Sequence, residues 1–189
     1  MEGLWQEWER LTRFLESSRV VFAREEVLWK SLDLADFDGA RIRTTRDQVT
    51  YDVDLDDHLA TLGDEEILWG SVLVHTFALT QSAAEEKLEI DLRTTAGIED
   101  WGGKLLKSAG KTWGDVKGGM AGAVEVAVVR NAVAHGTRTI NPNAAGRLRK
   151  AGSNGNAREG SRVTLTYQNL RGYRIRLKSL LNAGGLGKS

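Results

Sequence analysis

Arg130, Asn131 and His135 are the three side chains in this sequence whose types and spacing could do chemistry. They stand near the end of an apolar stretch, Gly119 to Gly136, GMAGAVEVAVVRNAVAHG. Asn131 and His135 are four apart, so they stack on one face of a helix. Arg130 lies about 140° around the helix from His135 at 3.6 residues per turn, and its long side chain can curl back toward the same terminus. A guanidinium, an amide and an imidazole suit metal-free chemistry on a phosphodiester. The imidazole titrates near neutrality and moves protons, and the fixed cation holds the non-bridging oxygens. The chain has only three histidines and no cysteine. It offers no Ser/His/Asp set and no three-ligand metal constellation, so neither a metal nor a cofactor is expected. The plainer reading is that the trio caps a helix and pairs with neighbouring carboxylates.

The helix that must position these groups reads from the same stretch. Val116, Met120, Val124, Val128 and Ala132 recur every four residues, with Ala123, Val126, Ala127 and Val133 between them. A helix apolar around most of its circumference belongs inside a bundle. Gly136 follows at once and suits the left-handed position after a helix end. His135 then falls in the last turn, where free carbonyls favour a protonated imidazole.

The segment RNAVAHG resembles the R-x4-6-H motif of HEPN domains, small all-helical proteins of toxin–antitoxin, abortive-infection and CRISPR-linked systems. In many of them a polar residue, often Asn, follows the Arg, and Gly follows the His. The motif also ends a penultimate helix, as it does there. The resemblance covers roughly Glu65 to Asn182. It implies a mainly α fold, a HEPN-like helical bundle, and a metal-independent RNA endonuclease acting as a toxin or in antiviral defence. His135 would exchange the proton at the 2′-hydroxyl or the leaving 5′-oxygen, Arg130 would hold the phosphate, and Asn131 would orient it. An acidic residue of the preceding helix, Glu86 or Glu85, would approach the pair. The resemblance further implies a homodimer with a composite active site, and an antitoxin or regulatory partner. In toxins controlled by a minimal nucleotidyltransferase, a tyrosine stands two residues after the motif histidine; this chain has Thr137 there. A non-catalytic module that binds nucleic acid or a protein partner is the alternative, and a purely structural helical dimer a further one.

At 189 residues, one HEPN-like domain spanning 1–189 is the expectation. No apolar run approaches a membrane span and no signal peptide is legible, which reads as a cytoplasmic protein with no membrane partner. The formal charge is zero, but residues 1–100 hold 10 Lys/Arg against 23 Asp/Glu and residues 101–189 hold 16 against 3. A basic half that carries the motif points to RNA; pairing of the two halves, within a chain or between copies, is the other use of such asymmetry.

Along the chain, residues 1–34 read as a long N-terminal helix, with Trp5, Trp8 and Trp29 as core or dimer seam. Residues 37–57 read as a hairpin or loop insertion, with a turn near Thr45 to Asp47. Asp54, Asp56 and Asp57 read as a turn and helix start. Residues 64–136 form the helical core: one helix from Asp64 to about Leu92 with His75 on or beside its apolar stripe, a shorter one from Thr95 to Ala109, and the motif helix. Gly110-Lys111-Thr112 imitates a phosphate-binding loop, but Leu105 stands where that motif needs its first glycine, so no NTPase is read. Residues 137–162 read as a basic flexible loop, with Arg138, Arg147, Arg149 and Lys150 as RNA-backbone contacts. Residues 163–183 close the chain as a short strand at Val163 to Tyr167 and an amphipathic helix with Arg171, Arg174, Arg176 and Lys178 on its wet face, or alternatively as a second strand through Tyr173 to Lys178.

Overall fold

In the computed structural model the described residues are 2–32, 39–91, 97–153 and 158–188. They are mainly helical, with one two-stranded antiparallel sheet. The order is α1 (Glu2–Lys30), β1 (Arg41–Arg46), β2 (Val49–Asp54), α2 (Leu55–Gly63), α3 (Glu66–Leu88), α4 (Ile98–Ser108), α5 (Gly119–Ala134), α6 (Pro142–Lys150) and α7 (Tyr167–Leu181), followed by a π turn at Asn182–Leu186. The expected starts of the insertion at 37 and of the third helix at Thr95, and the expected helix end at Leu92, lie outside the described residues. No helix among those described is long and apolar enough to cross a membrane.

Two compact units divide the chain: Met1–Leu11 with Trp69–Ser189, and Thr12–Leu68. The first is the bundle that carries the motif. Its core gathers Leu73, Phe77, Ile98, Trp101, Leu105, Val124, Val128, Leu170, Leu177 and Leu180, all buried. The central rod is α5, which packs on α4, α6 and α7 and meets α3 where a Cβ on Gly70 would come within 2.8 Å of Val133 Cγ1. Its all-round apolar sequence follows from having neighbours on every side. The closing helix α7 begins at a capping box, Thr166 N–H donating to Asn169 Oδ1 at 3.1 Å. It buries Leu170, Tyr173, Leu177, Leu180 and Leu181, the stripe its spacing predicts, so Tyr173 to Lys178 is helix and not strand.

The second unit pairs β1 with β2, Arg41 opposite Asp54 through Arg46 opposite Val49. Asp47 and Gln48 both take positive φ in the turn, one residue beyond its expected place. Asp52 joins Arg41 and Arg43 at 2.6 and 2.8 Å across the pair. Asp54 caps α2, accepting from Asp56 N at 3.0 Å, and Asp56 and Asp57 fill the negative first turn. The acidic cluster is thus a helix start.

Four local expectations differ from the structure. The stretch 137–162 contains a helix, α6, because Asn141 accepts from Ala144 N at 2.9 Å as N-cap and Pro142 takes the first helical position. Val163 to Tyr167 is not a strand; a lone bridge joins Thr139 to Arg162, and Ile140 N donates to Ser161 O at 3.0 Å. His75 is exposed, its Nδ1 3.0 Å from Ser71 O, because α3 buries Leu73, Thr76, Phe77 and Thr80 instead. Arg174 is buried rather than wet: its Nη2 donates to Trp8 O at 3.3 Å and its guanidinium lies over the Trp8 ring.

Candidate nucleic-acid site at the end of the central helix

The last turn of α5 places the motif. His135 is its C-cap, with its N–H donating to Asn131 O at 3.0 Å. Gly136 follows with φ +66, the left-handed conformation that glycine adopts without a Cβ penalty. Its N–H closes the helix on Val133 O at 3.0 Å. The chain then turns back, Arg138 N donating to Ala132 O at 3.0 Å and Val163 N to Arg138 O at 2.8 Å. The His135 turn is therefore anchored on both sides although the imidazole itself is exposed.

Asn131 and His135 line one hollow of about 510 Å³ together with Thr137, Thr139, Asn143 and Arg147. The N-terminus of α6 faces this hollow through Asn141, Asn143 and Ala144. A helix N-terminus, a guanidinium, two hydroxyls and three side-chain amides make a lining suited to an anion. Arg147 is not free to serve it alone. Its Nε and Nη2 donate to the two carboxylate oxygens of Glu99 at 3.0 and 2.7 Å. Burial pushes the Glu99 carboxyl up, but the bonds from Arg147 and a backbone N–H outweigh it and hold the group below its ordinary value.

Arg130 leaves α5 toward a different neighbour. Its guanidinium carbon lies 4.2 Å from the centroid of the Phe77 ring, and its Nη2 donates to Gln81 Oε1 at 3.4 Å. Phe77 and Gln81 are one turn apart on α3, so that helix offers the guanidinium a π face and an amide oxygen side by side. The Arg130 Nε is buried and bonds to no described group. Among the described residues no carboxylate pairs with Arg130. Burial pushes its pKa below the ordinary arginine value.

The candidate residues thus fall into separate places. Asn131, His135 and Arg147 share the hollow at the end of α5. Arg130 rests on α3, and Glu86 lines another hollow with Leu4, Leu79 and Leu186. Glu85 lies with Gln81 on the rim of a third. Arg149 and Lys150 are exposed at the end of α6, and Arg138 sits half-buried with φ +45 in the turn after Gly136. Thr137, Thr139 and Asn143 were not among the expected site residues. The signal that could have found them is Asn141-Pro142, which starts a helix directly behind the motif. Gln81 and Phe77 carry no such signal, because an ordinary amide and an ordinary ring gain meaning only from the guanidinium that reaches them. Among the described residues no group of three or more His, Asp or Glu side chains is arranged to hold a metal ion. No protein-family model, no curated protein and no solved structure matches this chain.

Proposed function

We propose that the chain is a metal-independent RNA endonuclease of the HEPN type, working as a pair of copies in toxin or antiviral defence. One observation carries this reading: Arg130 is a half-buried guanidinium that lacks a carboxylate partner among the described residues, five residues before an exposed imidazole. Cations withdrawn from water are normally paired. A cation left unpaired is stabilised when an external anion arrives, and a phosphodiester is that anion. The rise from Arg130 to His135 is about 7.5 Å along the helix axis, a span that one phosphate and its flanking sugars cover.

The chemistry uses the nucleophile RNA already has. The 2′-hydroxyl loses its proton to one imidazole, the 2′-oxygen bonds to phosphorus, and the P–O5′ bond breaks. The leaving oxygen takes a proton from a second imidazole. The products carry a 2′,3′-cyclic phosphate and a 5′-hydroxyl. Two copies supply the two imidazoles, while Arg130 steadies the charge on the phosphorane and Asn131 orients the phosphate. The test is cleavage of single-stranded and structured RNA in EDTA by the purified protein. Arg130→Ala and His135→Ala each lower the rate by at least about a hundredfold with unchanged circular dichroism. Cleavage that survives both changes, or that requires a divalent ion, overturns the proposal.

A second reading has an observation of its own. Within one copy Arg130 lies against α3 whereas His135 opens onto the hollow beside α6. A module that holds an RNA backbone without cutting it needs no closer approach of the two. It predicts salt-dependent binding, no cleavage, and indifference to His135→Ala.

A further inference from the structure

The hollow that holds Glu86 is separate from the one that holds His135. It is formed by the first turns of α1, the second half of α3 and the Asn182–Leu186 turn, all within the bundle unit, and measures about 630 Å³. That is within the range of small-molecule sites, roughly 300 to 1,000 Å³. Its apolar surface comes from Leu4, Leu79, Ala83 and Leu186. Its walls are fixed: Trp5 Nε1 donates to Leu186 O at 3.0 Å in a buried bond, and Lys188 pairs with Glu9 at 2.6 Å just beyond.

Three carboxylates line the same hollow. Glu7 is matched by Arg10 at 2.5 Å. Glu86 and Glu89 make no side-chain hydrogen bond or ion pair among the described residues, and only Lys87 opposes them on the rim. Glu89 stands just after the end of α3, with φ +53. An apolar floor beside two exposed carboxylates that have no partner among the described residues is complementary to an apolar body with one positive end.

We infer that this hollow is a binding site for a small amphipathic amine, an aromatic or short alkyl group carrying a protonated nitrogen. The apolar group lies on Leu79, Ala83 and Leu186, and the ammonium meets Glu86 and Glu89. The inference does not depend on the nuclease reading, because it uses none of Arg130, Asn131 or His135.

The experiment is titration of the full chain with 2-(2-naphthyl)ethylamine, followed by calorimetry and ligand-observed NMR, with 2-naphthylacetate as the matched anion. The amine binds, and the acid binds at least about tenfold more weakly. The double change Glu86→Gln with Glu89→Gln lowers amine affinity by about tenfold. Ser82→Trp, at an exposed position on the lining, fills the space and abolishes binding while the circular dichroism spectrum is kept. Absence of amine binding at millimolar concentration, equal binding of amine and acid, or full binding to the Ser82→Trp protein each overturns the assignment.

Discussion

Arg130 and Arg147 are two half-buried guanidiniums near the end of α5, and they are held in opposite ways. Arg147 is gripped by both oxygens of Glu99, at 3.0 and 2.7 Å. Arg130 rests on the face of Phe77 with a long bond to Gln81 and no carboxylate among the described residues. The first is a completed ion pair tying α6 to α4. The second is a charge whose partner is not supplied by the described residues. The difference teaches where to look for function: a paired cation contributes to structure, while an unpaired one reserves its field for a ligand.

The largest effect that would sharpen this contrast is on RNA. Arg130→Ala abolishes cleavage and weakens binding to a non-cleavable 2′-deoxy analogue, whereas Arg147→Ala weakens binding only. The separation is read by comparing rate at saturating RNA with affinity. Equal loss of rate in both variants would erase the distinction between the two arginines.

Next in size is the stability held by the pair. Glu99→Gln leaves the Arg147 guanidinium without its counter-charge and lowers unfolding free energy by about 1 to 2 kcal/mol, measured by urea denaturation. The pH dependence has a definite sign. The folded-state pKa of Glu99 is depressed below its ordinary value of 4.5, so its contribution is fully present above 4.5 and is lost as pH falls through the folded value. The wild-type advantage over Glu99→Gln therefore shrinks in acid below 4.5, and a constant gap down to low pH would show that the pair is not what holds α6 to α4.

These two arginines also show what the sequence could and could not say. The rod that carries Arg130 was legible, since a helix apolar on all sides has to be central, and so was its glycine terminator at Gly136. The hairpin was legible from alternation, and the cluster at Asp54 to Asp57 from its helix-start pattern. The α6 helix was missed because its glycine, asparagines and arginines read as a loop, although Asn141-Pro142 is a start signal. Which guanidinium is paired was out of reach. Glu99 and Arg147 are 48 residues apart, as are Phe77 and Arg130 by 53, and no local spacing brings them together. His75 misled for the same kind of reason: α3 is apolar on several faces, so its spacing alone did not identify the buried one.

A smaller effect concerns Arg130 itself as a structural element. Arg130→Met keeps an unbranched apolar stem that ends about where Arg130 has Nε, so it removes the charge, the bond to Gln81 and the guanidinium contact with Phe77. Because burial disfavours the charged guanidinium and no carboxylate among the described residues compensates it, the variant is as stable as wild type or more stable by up to about 1 kcal/mol. A loss of several kcal/mol would mean that the bond to Gln81 and the contact with Phe77 hold α3 to α5, and the case for a ligand-directed charge would go with it.

The smallest effect belongs to the exposed end of α6. Arg149 and Lys150 are solvated, so their removal costs little stability and changes RNA binding only through counterion release. Each phosphate contact on single-stranded RNA contributes about 0.7 to the slope of log K against log salt. The double change Arg149→Ala with Lys150→Ala should therefore flatten that slope by about 1.4 if both side chains touch the backbone. The hollow lined by Asn131 and His135 opens beside the start of α6, whereas these two residues stand at the other end of that nine-residue helix. An unchanged slope would confine the RNA to the start of α6 and its N-terminal dipole. A reduced slope would draw its path along the whole helix, past Arg147.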